Sequence, residues 1–133
     1  MLRIRQSTRE VDVEGTPEDL RELRKQVLAL ALAARGQASI KAEGGYDPKP
    51  YDRVLDGAVI HVGSGPTMVS VTNDGQLTIV ASPDNLRRLA SFIVVPSLPK
   101  EGWHSHYEYF VGNEYIMPTS EPVVFSLRRP SAA

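Results

Sequence analysis

The stretch of this chain best equipped for chemistry is Trp103-His104-Ser105-His106-Tyr107-Glu108-Tyr109-Phe110. In an extended strand successive side chains alternate between faces, so His104, His106 and Glu108 share one face. Trp103, Ser105, Tyr107 and Tyr109 take the other. Two imidazoles two residues apart on a strand can hold one metal ion, with a carboxylate as a further ligand. His61, the remaining histidine, would complete such a site if its strand lay alongside. His106 and Glu108 also offer a general acid–base pair, because imidazole titrates near neutrality. Nucleophilic chemistry has less to work with. The chain has no Cys, hence no thiol nucleophile and no thiolate metal site. It has no Gly-x-Ser-x-Gly elbow. Ser64 and Ser82 read as loop and helix-cap residues. Gly63-Ser64-Gly65-Pro66 lacks the Gly-Lys-Ser/Thr of a phosphate loop.

The same region also reads as a binding surface. Between Lys100 and Arg128 there is no Lys or Arg, while Glu101, Glu108, Glu114 and Glu121 all fall there. Six of the nine aromatics lie in that window: Trp103, Tyr107, Tyr109, Phe110, Tyr115 and Phe125. Aromatic anchors among acids suit association with a basic protein partner. The residues expected to carry it are His104, His106, Tyr107, Glu108, Tyr109, Glu114 and Tyr115. Two alternatives stay open. One is a small metal- or ligand-binding enzyme or sensor built on His61, His104 and His106. The other is a homodimer whose aromatic face pairs with itself.

The positioning elements follow from composition and periodicity. The chain has 133 residues, 41% hydrophobic and 23% charged, which suits one globular domain over 1–127 with a frayed tail over 128–133. A net charge of -1 argues against a general nucleic-acid binder. No apolar run approaches the roughly 20 residues of a membrane span. Met1 to Arg5 lacks the apolar stretch of a signal peptide. The expected setting is cytoplasmic.

Two segments resemble one another: Val11 to Leu23 and Leu77 to Leu89. Each has an alternating strand, a hydroxyl residue, Pro, an acid and a Leu-Arg-x-Leu run. Thr16 and Ser82 can accept from a free amide at a helix start. Pro17 and Pro83 stand where a missing N–H costs nothing. Glu18, Asp19 and Asp84 complement the helix dipole. Nearby acids make phosphate binding at these starts unfavourable. The first helix is predicted over Pro17–Arg35 with Gly36 as its stop. Leu20, Leu23, Val27, Leu30 and Ala31 lie on one face, widened by Leu28 and Leu32 into a well-covered helix. The second is predicted over Pro83–Val94, ended by Pro96 and Pro99. Strands are expected at Ala58–Val62, Met68–Thr72, Gln76–Ala81, Trp103–Phe110 and Pro122–Leu127. Asn73-Asp74-Gly75 supplies a hairpin turn. A hairpin over Leu2–Val13 opens the chain, and Ser39–Ala42 adds a strand. The expected fold class is α+β: an antiparallel sheet with two helices on one face and an internal ββα-type duplication.

Five runs together resemble a known family. They are Thr-Pro-Glu-Asp-Leu at 16–20, Asp-Pro-x-Pro-Tyr-Asp at 47–52, Ser-Pro-Asp-Asn-Leu at 82–86, His-x-His-x-Glu-Tyr-Phe at 104–110 and Pro-x-Ser at 118–120. The combination is similar to the bacterial immunity proteins of polymorphic toxin systems, the type catalogued as number thirty-two. The resemblance implies an α+β protein without enzymatic activity or cofactor that binds and blocks a cognate protein toxin.

Overall fold

The structure, a computed structural model, describes residues 1–97 and 102–128. Both predicted helix starts form as the local chemistry dictates. At Thr16 the hydroxyl accepts the Asp19 amide at 3.2 Å, and the Asp19 carboxylate accepts the Thr16 amide at 3.0 Å. This reciprocal capping box opens α1 (Pro17–Ala33). Ser82 accepts the Asn85 amide at 3.3 Å and opens α2 (Pro83–Phe92). Both helices end two residues earlier than predicted. Ala34, not Gly36, takes the left-handed position (φ 60°), and its N–H bonds the Leu30 carbonyl. Gly36 (φ 93°) then turns the chain into the next strand. Ile93 caps α2 outside helical geometry, with Pro96 just beyond. Pro99 lies outside the described residues.

The buried face of α1 is Leu20, Leu23, Val27, Leu30 and Ala31, as the spacing requires. The predicted widening does not hold. Leu28 is 40% exposed and Leu32 83%, because no described element packs on that flank of the helix.

The strands are β1 (Arg3–Gln6), β2 (Val11–Gly15), β3 (Gln37–Lys41), β4 (Arg53–Leu55), β5 (Gly57–Val62), β6 (Met68–Val71), β7 (Gln76–Ala81), β8 (His104–Tyr107) and β9 (Val123–Leu127). The α+β class holds, but the strands divide into two sheets. One has the order β4-β1-β2-β9-β8 and the other β3-β5-β7-β6. Each mixes antiparallel neighbours with one parallel pair, β2 with β9 and β5 with β7. The predicted turn joins β6 to β7, with Gly75 at φ 90°.

The two halves are topological copies with exchanged strands. A hairpin and helix (β1-β2-α1) are followed by β3, which joins the other sheet; β6-β7-α2 are followed by β8, which also crosses over. Then β5 returns beside β7, and β9 beside β2, both parallel. Individual bonds repeat. Val62 N–H bonds the Gly36 carbonyl, as Leu127 N–H bonds that of Trp103. Gly63 N–H bonds the Ala81 carbonyl, as Arg128 N–H bonds that of Gly15. Leu20, Leu23 and Val27 on α1 match Leu86, Leu89 and Ile93 after Ser82, and all six are buried.

The inward faces of both sheets and both helices share one core. Ile4, Val13 and Phe125 come from the first sheet, Ile60, Leu77 and Ile79 from the second, and Val27, Leu89 and Ile93 from the helical segments. Each such side chain contributes roughly 1.5–3 kcal/mol on burial. Arg128, expected in the frayed tail, is tied down: its side chain lies 3.5 Å from Glu43 and 3.8 Å from Glu14. The rest of that tail, 129–133, lies outside the described residues.

Candidate functional site

β8 is an edge strand, and it is shorter than predicted. It covers His104–Tyr107 rather than Trp103–Phe110. Its alternation follows the expected faces: His104 and His106 are exposed, Ser105 is half-buried and Tyr107 is buried. The Ser105 hydroxyl donates to the Phe92 carbonyl, tying β8 to the end of α2. Tyr107 belongs to the core. Its ring lies 5.0 Å from that of Phe92 and 6.2 Å from that of Tyr115. Its hydroxyl and that of Thr67 share a 2.7 Å hydrogen bond. Burial pushes the Tyr107 phenol up to about 12.

Beyond β8 the chain leaves the sheet because Asn113 pins a tight loop. The buried Asn113 side chain donates to the Glu108 carbonyl at 3.3 Å and accepts the Tyr115 amide at 3.1 Å. Its own N–H bonds the Phe110 carbonyl at 2.9 Å. Gly112 (φ 94°) completes the turn. The consequence is that Phe110 is 59% exposed and Val111 92%. Glu108 and Glu114 flank them, both exposed. Tyr109 is half-buried and packs on the core. The loop then runs to the edge of the second sheet, where Ile116 bridges Thr67.

An open cleft lies between this loop, the Gly65-Pro66 turn and the first turns of α2. Asn85, Arg88, Phe110, Glu114 and Tyr115 line it. Arg88 sits over the Tyr115 ring at 5.2 Å, and Asn85 holds the turn by donating to the Gly65 carbonyl at 2.9 Å. Of the seven candidate residues, Glu114 and Tyr115 meet in this cleft. His104 and His106 lie along the adjacent edge, and Tyr107 supports both from beneath. Glu108 follows the end of β8 and so no longer obeys the strand alternation that would pair it with His106. Glu101 lies outside the described residues.

The metal geometry is not present. His61 is on β5 of the second sheet, where the neighbouring Ile60 points into the core. His104 and His106 are on β8 of the first sheet, opposite Ser126 and Val124. The His104 and His106 rings lie edge-to-face at 5.1 Å, and the His104 Nδ1 is 2.9 Å from the Gly102 carbonyl oxygen. Among the described residues no three His, Asp or Glu side chains are grouped to hold one ion.

The outward face of the first sheet carries a polar network that the sequence did not signal. Arg5 meets the buried Asp12 at 2.6 Å and Glu14 at 3.4 Å. The Ser126 hydroxyl donates to Asp12. The Tyr51 ring covers Arg5 at 4.5 Å, and the Tyr46 ring covers Arg3 at 4.6 Å. The 47–52 loop thus serves as a lid over buried charge. Asn85, Arg88 and Pro66 were also not foreseen, since only the tertiary fold brings them to Phe110. Phe110 had a legible signal: it ends the aromatic run and follows Glu108.

These surfaces offer apolar anchors, carboxylates and open strand main chain, which is the chemistry of association. None of the described helices is long and apolar enough to cross a membrane. No curated protein and no solved structure gives a match. Residues 10–46 and 76–128 match the family described as Immunity protein 32. The matched segments carry β2-α1-β3 and β7-α2-β8-β9, the corresponding stretches of the two halves. Four of the five runs that suggested the resemblance lie inside them, and Asp47 to Asp52 lies outside. With well over half of its residues matched, the chain belongs to the Immunity protein 32 family.

Proposed function

We propose that this protein neutralises a cognate bacterial toxin by non-covalent association, with no bond-breaking of its own, in the cytoplasm of the producing cell. The family supports the role. The observation that carries the location is the Asn113-pinned loop, which holds Phe110 and Val111 in solvent between Glu108 and Glu114. Exposed aromatics at the centre of an interface supply most of its affinity. The acids and the lack of Lys or Arg between 102 and 127 favour a basic toxin. His104, His106, Glu108, Tyr109, Glu114 and Tyr115 surround the anchor, and Tyr107 sets the position of β8 from within. A standard interface buries roughly 1,600 Å² in total, which a domain of this size can supply.

The test is titration calorimetry and inhibition of the toxin domain encoded beside this gene. The wild-type chain is expected to bind and block it. The double variant F110S/V111S is expected to fold normally and bind at least about tenfold more weakly, one anchor being worth about 1.4 kcal/mol or more. No binding by the wild type, or unchanged binding by the variant, refutes the respective half of the proposal.

A further inference from the structure

We infer that β8 is a strand-addition site: an extended segment of the toxin pairs with its open edge. The inference rests on the toxin-neutralising reading above. It starts from the register. Leu127 N–H bonds the Trp103 carbonyl, so Trp103 and Leu127 form a hydrogen-bonded pair of the β8–β9 ladder. Pairs alternate along an antiparallel ladder. Ser105 and Tyr107 therefore turn their main-chain groups toward β9. His104 and His106 turn theirs away, giving two N–H and two C=O groups along an edge that no described residue pairs.

The other sheet edges are better protected. On β6, the Ser120 hydroxyl accepts the Val69 amide and the Glu121 amide bonds the Val69 carbonyl. On β4, three residues long, the Arg53 side chain bonds the Gln6 side chain and the Thr72 carbonyl. The counterpart of β8 in the other half is β3, whose open groups belong to Gln37, Ser39 and Lys41 by the same ladder rule. There Lys41 guards the edge, since a lysine on an edge strand opposes pairing. Among the described residues β8 has no such guard, and it is followed directly by the acidic, apolar 108–114 loop.

That contrast also selects the occupant. A strand laid on β8 continues past the loop acids and the exposed Phe110, which suits a segment carrying Lys or Arg beside apolar residues. A second copy of this chain would bring the same acidic stretch to the edge, with no Lys or Arg between 102 and 127 to meet these carboxylates. Main-chain pairing supplies affinity here, and side chains flanking the strand supply specificity.

The test uses proline, which removes an N–H without disturbing the β9 side of the ladder, because that of His106 faces outward. The toxin domain encoded beside the gene is titrated into full-length wild type, H106A, H106P and, as a control on the guarded edge, S39P. Amide exchange is measured at His104 and His106 with and without toxin. H106P is expected to bind at least about tenfold more weakly than H106A, the range of one lost buried hydrogen bond. S39P is expected to match the wild type, and both β8 amides to gain protection on binding. Equal affinities of H106P and H106A, or unprotected amides, overturn strand addition while neutralisation stands. If H106P fails to fold, the wild-type exchange data decide. A wild-type dimer by light scattering that H106P abolishes assigns the edge to a second copy and overturns the proposal. No toxin binding by wild type removes this reading and the one it rests on.

Discussion

The Tyr107–Thr67 hydrogen bond is the single contact that most directly joins the candidate surface to the core, and its worth can be worked out. Tyr107 is 1% exposed and Thr67 0%, with their oxygens 2.7 Å apart. In Tyr107→Phe the ring stays against Phe92 and Tyr115, but the Thr67 hydroxyl is left in the interior without this partner. That costs about 1–3 kcal/mol. Thr67→Val strands the phenol instead, at a similar cost of about 1–3 kcal/mol. The double variant removes both polar groups and nearly preserves shape, so it is expected to lie within about 1 kcal/mol of wild type. The two single losses sum to about 2–6 kcal/mol against no more than about 1 for the double variant, so the cycle shows a coupling of at least about 1 kcal/mol. Urea unfolding measures it, with Tm falling about 4 °C per kcal/mol at this chain length. Additive losses, or a neutral Tyr107→Phe, would refute a buried paired bond at this position.

Three further outcomes are expected. Ionising Tyr107 inside the fold is unfavourable, since burial raises it to about 12. Its contribution to stability is therefore full below about pH 10, the value of a free phenol, and is lost as pH climbs through about 12; comparison of wild type with Tyr107→Phe in alkaline unfolding isolates that loss. Asp12→Asn weakens the 2.6 Å pair with Arg5 beneath Tyr51 to a neutral hydrogen bond while Glu14 still faces the guanidinium, and chemical denaturation is expected to show a loss of about 1–3 kcal/mol. Thr16→Ala and Ser82→Ala are each expected to cost about 1 kcal/mol, because each hydroxyl accepts one first-turn amide, that of Asp19 and that of Asn85, while the Thr16 amide keeps its bond to the Asp19 carboxylate in the alanine variant; thermal melts of the two variants measure both.

What was legible in the sequence was local. The Thr16-Pro17 and Ser82-Pro83 junctions state their helix starts through hydroxyl, proline and acid, and the Asn73–Gly75 turn states its hairpin. β7 runs over Gln76–Ala81, as the alternation of Leu77 and Ile79 requires. Pairing across long separations was not legible. Nothing near Val123 says that β9 inserts parallel between β2 and β8, and nothing near Gly57 says that β5 lies parallel to β7, the two pairings that complete the separate sheets. β4 is three residues long and lacks a pattern of its own. At the site, alternation placed Tyr107 opposite His104 and His106, and burial followed from it. The end of β8 depended on Asn113, five residues past Glu108, whose side chain holds the Glu108 carbonyl and the Tyr115 amide and so turns the chain out of the strand. Leu28 and Leu32 show the limit of helical periodicity, which finds an apolar stripe but not whether anything covers it.

The reciprocal crossing of strands means that the backbone joint at Ser64-Gly65 is mechanically redundant. A protease that nicked it would leave two fragments clasped like folded hands, because β9 lies inside the sheet begun by the first fragment and β5 inside the sheet begun by the second. Separation would require peeling both sheets apart at once. Such a molecule resists being pulled open from either end.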